Sequence, residues 1–285
     1  LLYKKIYNIV CERGCKLYKY LELHMKTICI FNQKGGVGKT TTNINLASYL
    51  AIAGNKVLTI DIDPQGNTTS GLGIDKRNLE LSMYDVITSN VGLKEVIIHS
   101  DLISNLYIAP STMELAGAEI EVITKDNRER ILLNKINEIK DDFDFIFIDC
   151  PPSLGVLTIN ALTSCDSVLI PIQSEFYALE GLGQLMSTID LVKKSLNPKI
   201  EVEGVIMTMY DNRTNLSNEV FSEVKKYFKD SVYKNTIPRN IRLAESPSFG
   251  LPIMLYDAKC KGADAYSNLV EEFLKKQRVL KGEVR

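Results

Sequence analysis

The chain has 285 residues, 45% hydrophobic and 24% charged, with a formal net charge of −1; this is the balance of a soluble globular protein and is too neutral for a globally basic nucleic-acid coat. No apolar run reaches the roughly 18 residues that a membrane span requires, though the charge leaves room for a local basic patch. The six cysteines include no C-x-x-C pair, which disfavours a zinc site or an iron–sulfur cluster, and thiols among apolar residues, such as Cys29 and Cys150, read as reduced core residues of a cytosolic protein.

Residues 1–24 do not share the pattern that follows. Met25-Lys26-Thr27 opens a strand directly, so we expect 1–24 to be an extension and 25–285 to form a single working domain. The apolar run Thr27–Phe31 leads into Phe31-Asn32-Gln33-Lys34-Gly35-Gly36-Val37-Gly38-Lys39-Thr40-Thr41-Thr42. A helical pattern follows, with Ile44, Ala47, Leu50 and Ala51 on one face and Gly54 to close it. Strand, glycine-rich turn, Lys-Thr and helix is the layout of a phosphate-binding loop. The backbone N–H groups of Gly35, Gly36, Val37 and Gly38 can curl around a phosphate, and the helix that follows aims its positive end at the same charge. Lys39 is placed to reach the β- and γ-phosphates of a nucleotide and the Thr40 hydroxyl to ligate Mg²⁺.

Strands and helices then alternate. Lys56–Asp61, Asn105–Ala109, Phe143–Asp149, Ser167–Ile172 and Val202–Met209 read as strands. Ser111-Thr112-Met113-Glu114 has the form of a capping box opening a helix to about Thr124. Arg128–Lys140 is amphipathic through Ile131, Leu132, Lys135, Ile136 and Ile139, and further helices are expected near 179–195, 215–229 and 262–276. Strands this apolar, separated by helices, predict an α/β fold: a mostly parallel twisted sheet with helices on both faces.

Two strand ends carry acids, where ligands of open α/β sheets gather. Asp149 ends FDFIFID, in a position suited to holding Mg²⁺ through water, although alone it also fits a helix cap or turn. Asp61-Ile62-Asp63-Pro64-Gln65-Gly66 places two acids on one side of an extended segment. That loop can hold a water in line with a γ-phosphate, or it can be a plain turn.

The variant KGGVGKT, with Gln33 where the general pattern has glycine and an extra Lys34, resembles the deviant Walker A group of nucleotide-dependent switches. Together with VLTIDIDPQGNTTSGLG, FIFIDCPPSLGVLTINAL and IPRNIRLAESPSFGLPI it resembles the ParA/Soj family of partitioning ATPases from Met25 to about Lys276. The resemblance implies a cytosolic P-loop ATPase using ATP and Mg²⁺, which forms an ATP-sandwich homodimer and binds double-stranded DNA without sequence specificity. It also implies a ParB/Spo0J-type partner that stimulates slow hydrolysis. By position, Lys34 becomes the signature lysine acting in trans, Gly35 lies at the dimer interface, Asp63 positions the attacking water and Asp149 is the Walker B acid. Pro238 and Asn240 would line the adenine pocket, and Arg213 and Arg242 shift from ordinary surface charge toward DNA contact.

A membrane-bound positioning ATPase resembling MinD is the alternative. Its amphipathic C-terminal helix is not matched by residues 277–285, which lack an aromatic residue, so stable membrane association is not expected. A metal-cluster carrier is disfavoured by the unpaired cysteines, and nothing suggests the acceptor pocket of a small-molecule kinase.

Overall fold

The computed structural model describes residues 25–175 and 178–279; the expectations for 1–24 and for the tail beyond 279 lie outside them. Seven strands among the described residues form one sheet: β1 (Lys26–Ile30), β2 (Val57–Asp61), β3 (Ile98–His99), β4 (Leu106–Ala109), β5 (Phe145–Asp149), β6 (Ser167–Gln173) and β7 (Glu201–Thr208). Their order is β3-β4-β2-β5-β1-β6-β7. Every pairing is parallel except β3 with β4. The two-residue β3 was not legible in the sequence, because so short a segment carries no periodicity.

Alternate residues of each strand feed two apolar layers. On β5, Phe145 and Phe147 enter one layer, while Ile146 and Ile148 enter the other. The first layer is closed by α1 (Lys39–Ile52), and the chain then adds α2 (Asn67–Gly71), α3 (Met83–Thr88), α4 (Leu115–Glu121), α5 (Ile131–Asn137), α6 (Val156–Ser164), α7 (Ala178–Ser195), α8 (Asn215–Phe228), α9 (Ile241–Glu245) and α10 (Lys261–Val279). Phe273 of α10 meets Phe145 edge-on at 5.5 Å. Removing a side chain of this size from water is worth about 1.5–3 kcal/mol. Helices α3 to α8 cover the opposite face. The helix α1 is buried on nearly every side rather than on one stripe, because α10 lies over it: the Tyr49 hydroxyl donates to the Ala263 carbonyl at 2.8 Å.

Two expectations are corrected. Ser111 does not cap a helix: α4 starts at Leu115, after Glu114, with no side-chain cap. The segment expected as one helix over Arg128–Lys140 is broken into a 3₁₀ turn, α5 and a second 3₁₀ turn at Lys140–Asp142. Asn160 of α6 sets the break. Its amide oxygen accepts from the Leu132 N–H at 3.0 Å and its amide nitrogen donates to the Arg128 carbonyl at 2.8 Å. The orphan N–H of a new helix start is thereby satisfied from outside the segment.

No helix among the described residues is long and apolar enough to cross a membrane.

Candidate functional site

Strand β1 lies between β5 and β6, so the loop that follows it emerges at the carboxyl edge of the sheet, flanked by the ends of two neighbours. Gly36 and Gly38 take positive φ, 73° and 89°, a region costly for residues with a Cβ. Neighbouring segments hold the loop. The Asn32 amide donates to the Pro171 carbonyl at 2.8 Å, Gln33 to the Thr188 hydroxyl at 2.8 Å, and Thr208 to the Val37 carbonyl at 2.8 Å.

The two lysines face different surroundings. Lys39 is buried inside the loop, its ammonium donating to the Lys34 carbonyl at 3.3 Å. Burial lowers its pKa, while the nearby Asp149 and Asp63 carboxylates favour the charged form. Lys34 lies outside, its ammonium 2.8 Å from the Glu175 carboxylate, with both side chains partly exposed.

Register brings the acids together: Asp61 of β2 and Asp149 of β5 are directly paired. Both are fully buried. Burial, then the charge of Asp149, pushes Asp61 up to about 7; burial pushes Asp149 up to about 6 against the Thr68 hydrogen bond, the nearby Thr40 hydroxyl and the Lys39 charge. One Asp149 oxygen accepts from the Thr68 hydroxyl at 2.7 Å. Thr68 in turn accepts from Asn43, which also donates to Thr59. The other oxygen, Oδ1, is buried with no hydrogen-bond partner among the described residues. An orphaned carboxylate oxygen beside a threonine hydroxyl, at a phosphate loop, fits the oxygen-only coordination of a hard divalent cation.

This arrangement has a pH signature. A carboxylate whose folded pKa lies above its unfolded value costs stability as pH rises from the unfolded toward the folded value. In metal-free, nucleotide-free protein, the stability difference between Asp149→Asn and wild type should move in the variant's favour by on the order of 2 kcal/mol from pH 4 to pH 7. Urea unfolding at each pH measures it, and a flat difference would show that Asp149 does not titrate in this range.

Asp63, buried, follows β2. Its carboxylate accepts from the Gln65 N–H at 2.9 Å, and its carbonyl from the Gly66 N–H at 2.8 Å. The loop thus turns back on itself and presents the acid at the same edge as Lys39 and Asp149.

Beside the loop, Gly38, Thr41, Thr208, Met209, Ile237, Pro238, Asn240, Leu243 and Tyr266 line a cavity of about 230 Å³. Its walls are mostly apolar, as a planar base requires. Met209 holds φ at 49°, an uncommon conformation for a side-chain-bearing residue, and Tyr266 is anchored to Thr42 at 3.1 Å. Pro238 and Arg239 also wall a larger, polar groove of about 760 Å³ lined by Arg213, Lys234 and Lys261. Arg213 is exposed and paired with Asp211 at 2.7 Å; Arg242, on α9, is half-exposed and paired with Glu245 at 2.9 Å.

Sequence reading placed Lys34, Gly35, Gly36, Val37, Gly38, Lys39, Thr40, Thr41, Asp63 and Asp149 around one edge, and the fold brings them there. It brings Pro238 and Asn240 to the adjoining cavity. Arg213 lies in the polar groove, whereas Arg242 does not line it. The reading missed Thr68, Thr69, Asn43 and Tyr266. The polar run Asn67-Thr68-Thr69-Ser70 was a usable signal, since buried acids need donors.

Comparison with known proteins agrees with this geometry. The family model AAA_31, an AAA domain, matches residues 25–202. The sporulation initiation inhibitor protein Soj of Bacillus subtilis is 54% identical over 247 residues, spanning 87% of this chain and 97% of its own. The chromosome partitioning protein ParA of Myxococcus xanthus is 50% identical over 251 residues, 88% of each chain. Among solved structures, cobyrinic acid a,c-diamide synthase of Mycobacterium smegmatis with bound ADP and magnesium superposes with a TM-score of 0.77 at 35% identity, covering 90% of this chain and 96% of its own. With a phosphate loop flanked by buried acids on a parallel sheet, and with these relatives, the chain belongs to the ParA/Soj family of P-loop partitioning ATPases.

Proposed function

We propose that the protein is an ATP-driven switch for partitioning DNA. ATP occupies the loop and the adjoining cavity, with the base against Pro238 and Asn240 and the phosphates on the backbone of Gly35, Gly36, Val37 and Gly38, beside Thr41. Lys39 neutralises the β- and γ-phosphates. Thr40 and Asp149 hold Mg²⁺, which neutralises phosphate charge when bound. Asp63 orients the attacking water and stabilises the proton it loses.

The observation that carries the reading is the contrast between the two lysines. Lys39 is enclosed by its own loop, whereas Lys34 turns away from it to a partly exposed partner, Glu175. An outward ammonium at the mouth of a phosphate site suits the γ-phosphate of a second subunit, so two ATP molecules join two chains with Gly35 at the contact. The solved relative that carries ADP and magnesium supports the cofactor assignment.

DNA binding follows from dimer formation. Arg213, Lys234, Arg239 and Lys261 along the polar groove, with Arg242 on α9 outside it, offer a few cations per subunit. Two subunits double the phosphates neutralised, so nucleotide-controlled dimers give nucleotide-controlled affinity. Phosphate contacts carry no sequence information, so binding is non-specific. A ParB/Spo0J-type partner then stimulates hydrolysis and release, and the ATP-bound form resides on the nucleoid.

The test is binding to random-sequence duplex DNA with ATP, ADP or no nucleotide. Salt-sensitive binding only with ATP supports the reading. Arg242→Glu should weaken it about tenfold or more at low salt, leaving ATP affinity unchanged; unchanged DNA affinity would remove Arg242 from the interface. Intact hydrolysis with no DNA binding in any state would favour a positioning ATPase acting on another surface.

A further inference from the structure

The main chain of Asp63 is gripped at both of its polar groups by a closed ring of hydrogen bonds. The Asp63 N–H donates to Asp61 Oδ1 at 3.2 Å. Asp61 Oδ2 accepts from the Thr69 hydroxyl at 2.7 Å and from the Thr69 N–H at 2.8 Å. The Thr69 oxygen accepts from the Ser111 N–H at 2.9 Å, and the Ser111 hydroxyl donates to the Asp63 carbonyl at 2.8 Å. Asp61, Thr69 and Ser111 are each fully buried, and Asp63 is 8% exposed.

The ring joins three separate parts of the chain: the end of β2, the helix α2 and the segment after β4. Each bond is shielded from water, so none is readily exchanged for a solvent contact. The turn has little room to drift either. At Gly66, with φ at 61°, an added Cβ would lie 2.8 Å from the Ser111 carbonyl and 2.8 Å from the Lys76 side chain. The Lys76 ammonium also donates to the Gln65 carbonyl at 2.7 Å.

We propose that Ser111 and Thr69 are positioning residues for hydrolysis, holding the Asp63 carboxylate at the height where the attacking water must sit. The inference rests on the assignment of Asp63 as the water-orienting residue. Neither hydroxyl touches nucleotide in this role; each acts through the main chain of Asp63. Ser111 supplies the only part of the ring that comes from beyond α2, and it therefore couples the hydrolytic loop to the neighbouring strand. Loss of its hydroxyl leaves the Asp63 carbonyl one donor among the described residues, the Gly66 N–H. The loop then gains freedom without any change at the phosphate loop.

The measurement is steady-state hydrolysis together with equilibrium ATP binding for Ser111→Ala, Thr69→Val and Thr69→Ser, with Asp63→Ala alongside. Ser111→Ala and Thr69→Val should lower kcat about tenfold to a hundredfold, since displacement of a reacting group by about 1 Å has effects of that size. KM and ATP affinity should stay within about twofold of wild type. Thr69→Ser, which keeps the hydroxyl, should retain most of the turnover. Ser111→Ala with wild-type kcat, while Asp63→Ala is inactive, overturns the positioning role alone. A fall in kcat matched by an equal loss of ATP affinity also overturns it, because that is the signature of a merely structural residue. Wild-type turnover by Asp63→Ala removes the underlying assignment instead, whatever Ser111 does.

Discussion

Asp63→Ala should bind ATP as wild type does and turn it over about 10²- to 10⁴-fold more slowly, the range expected for loss of a group acting on the attacking water's proton. The substitution takes away a carboxylate that makes one local bond, to the Gln65 N–H. It leaves the ring of hydrogen bonds intact, because that ring uses only the Asp63 backbone. Nor does it touch the loop around Lys39. A variant that loads ATP without hydrolysing it should accumulate as the dimer and dissociate from DNA more slowly than wild type. Single-turnover hydrolysis and equilibrium nucleotide binding measure the two halves separately. If ATP affinity falls in step with turnover, Asp63 serves the fold or the nucleotide rather than the water.

Lys39→Ala should remove ATP binding itself, with affinity reduced by about a hundredfold or more, as expected when a buried charge-assisted contact to phosphate is lost. The ammonium sits where Asp149 and Asp63 raise its affinity for a proton against the cost of burial. Without it, the Asp149 and Asp63 carboxylates lose the lysine charge that offsets them, so the loss includes added repulsion of the phosphates as well as a missing bond. Lys34→Ala should behave differently. Its ammonium lies outside the loop, so binding to the monomer should persist while ATP-dependent dimer formation fails. Calorimetric ATP binding and sedimentation separate the two lysines; equal loss of ATP affinity in both variants would refute the division between them.

Much of this was legible in the chain. The parallel sheet followed from apolar strands alternating with helices, and it is observed with bounds shifted by about a residue at most strands. The phosphate loop was legible because its chemistry is local: glycines that permit positive φ, then Lys-Thr at the start of a helix. Asp149 could be read as a strand-end acid. What could not be read was that its in-register neighbour is Asp61, since register joins residues 88 positions apart through strand order rather than through any local pattern. Ser111 illustrates the same limit. Its neighbourhood has the spelling of a capping box, but a carbonyl 48 residues away offered the hydroxyl a buried partner. A water-free tertiary hydrogen bond outweighed an exposed local cap. The break in the helix before α5 has the same origin, in Asn160.

The sequence by itself determined the longer strands, the phosphate loop with its nucleotide chemistry and the acids at the strand ends, because each depends on the intrinsic geometry of a few consecutive residues. Only the tertiary structure decided which acids are buried together, which lysine lies inside the loop and which hydroxyls hold Asp63 in place. Those outcomes depend on desolvation and on partners distant in the chain, and burial is a property that no short stretch of residues possesses alone.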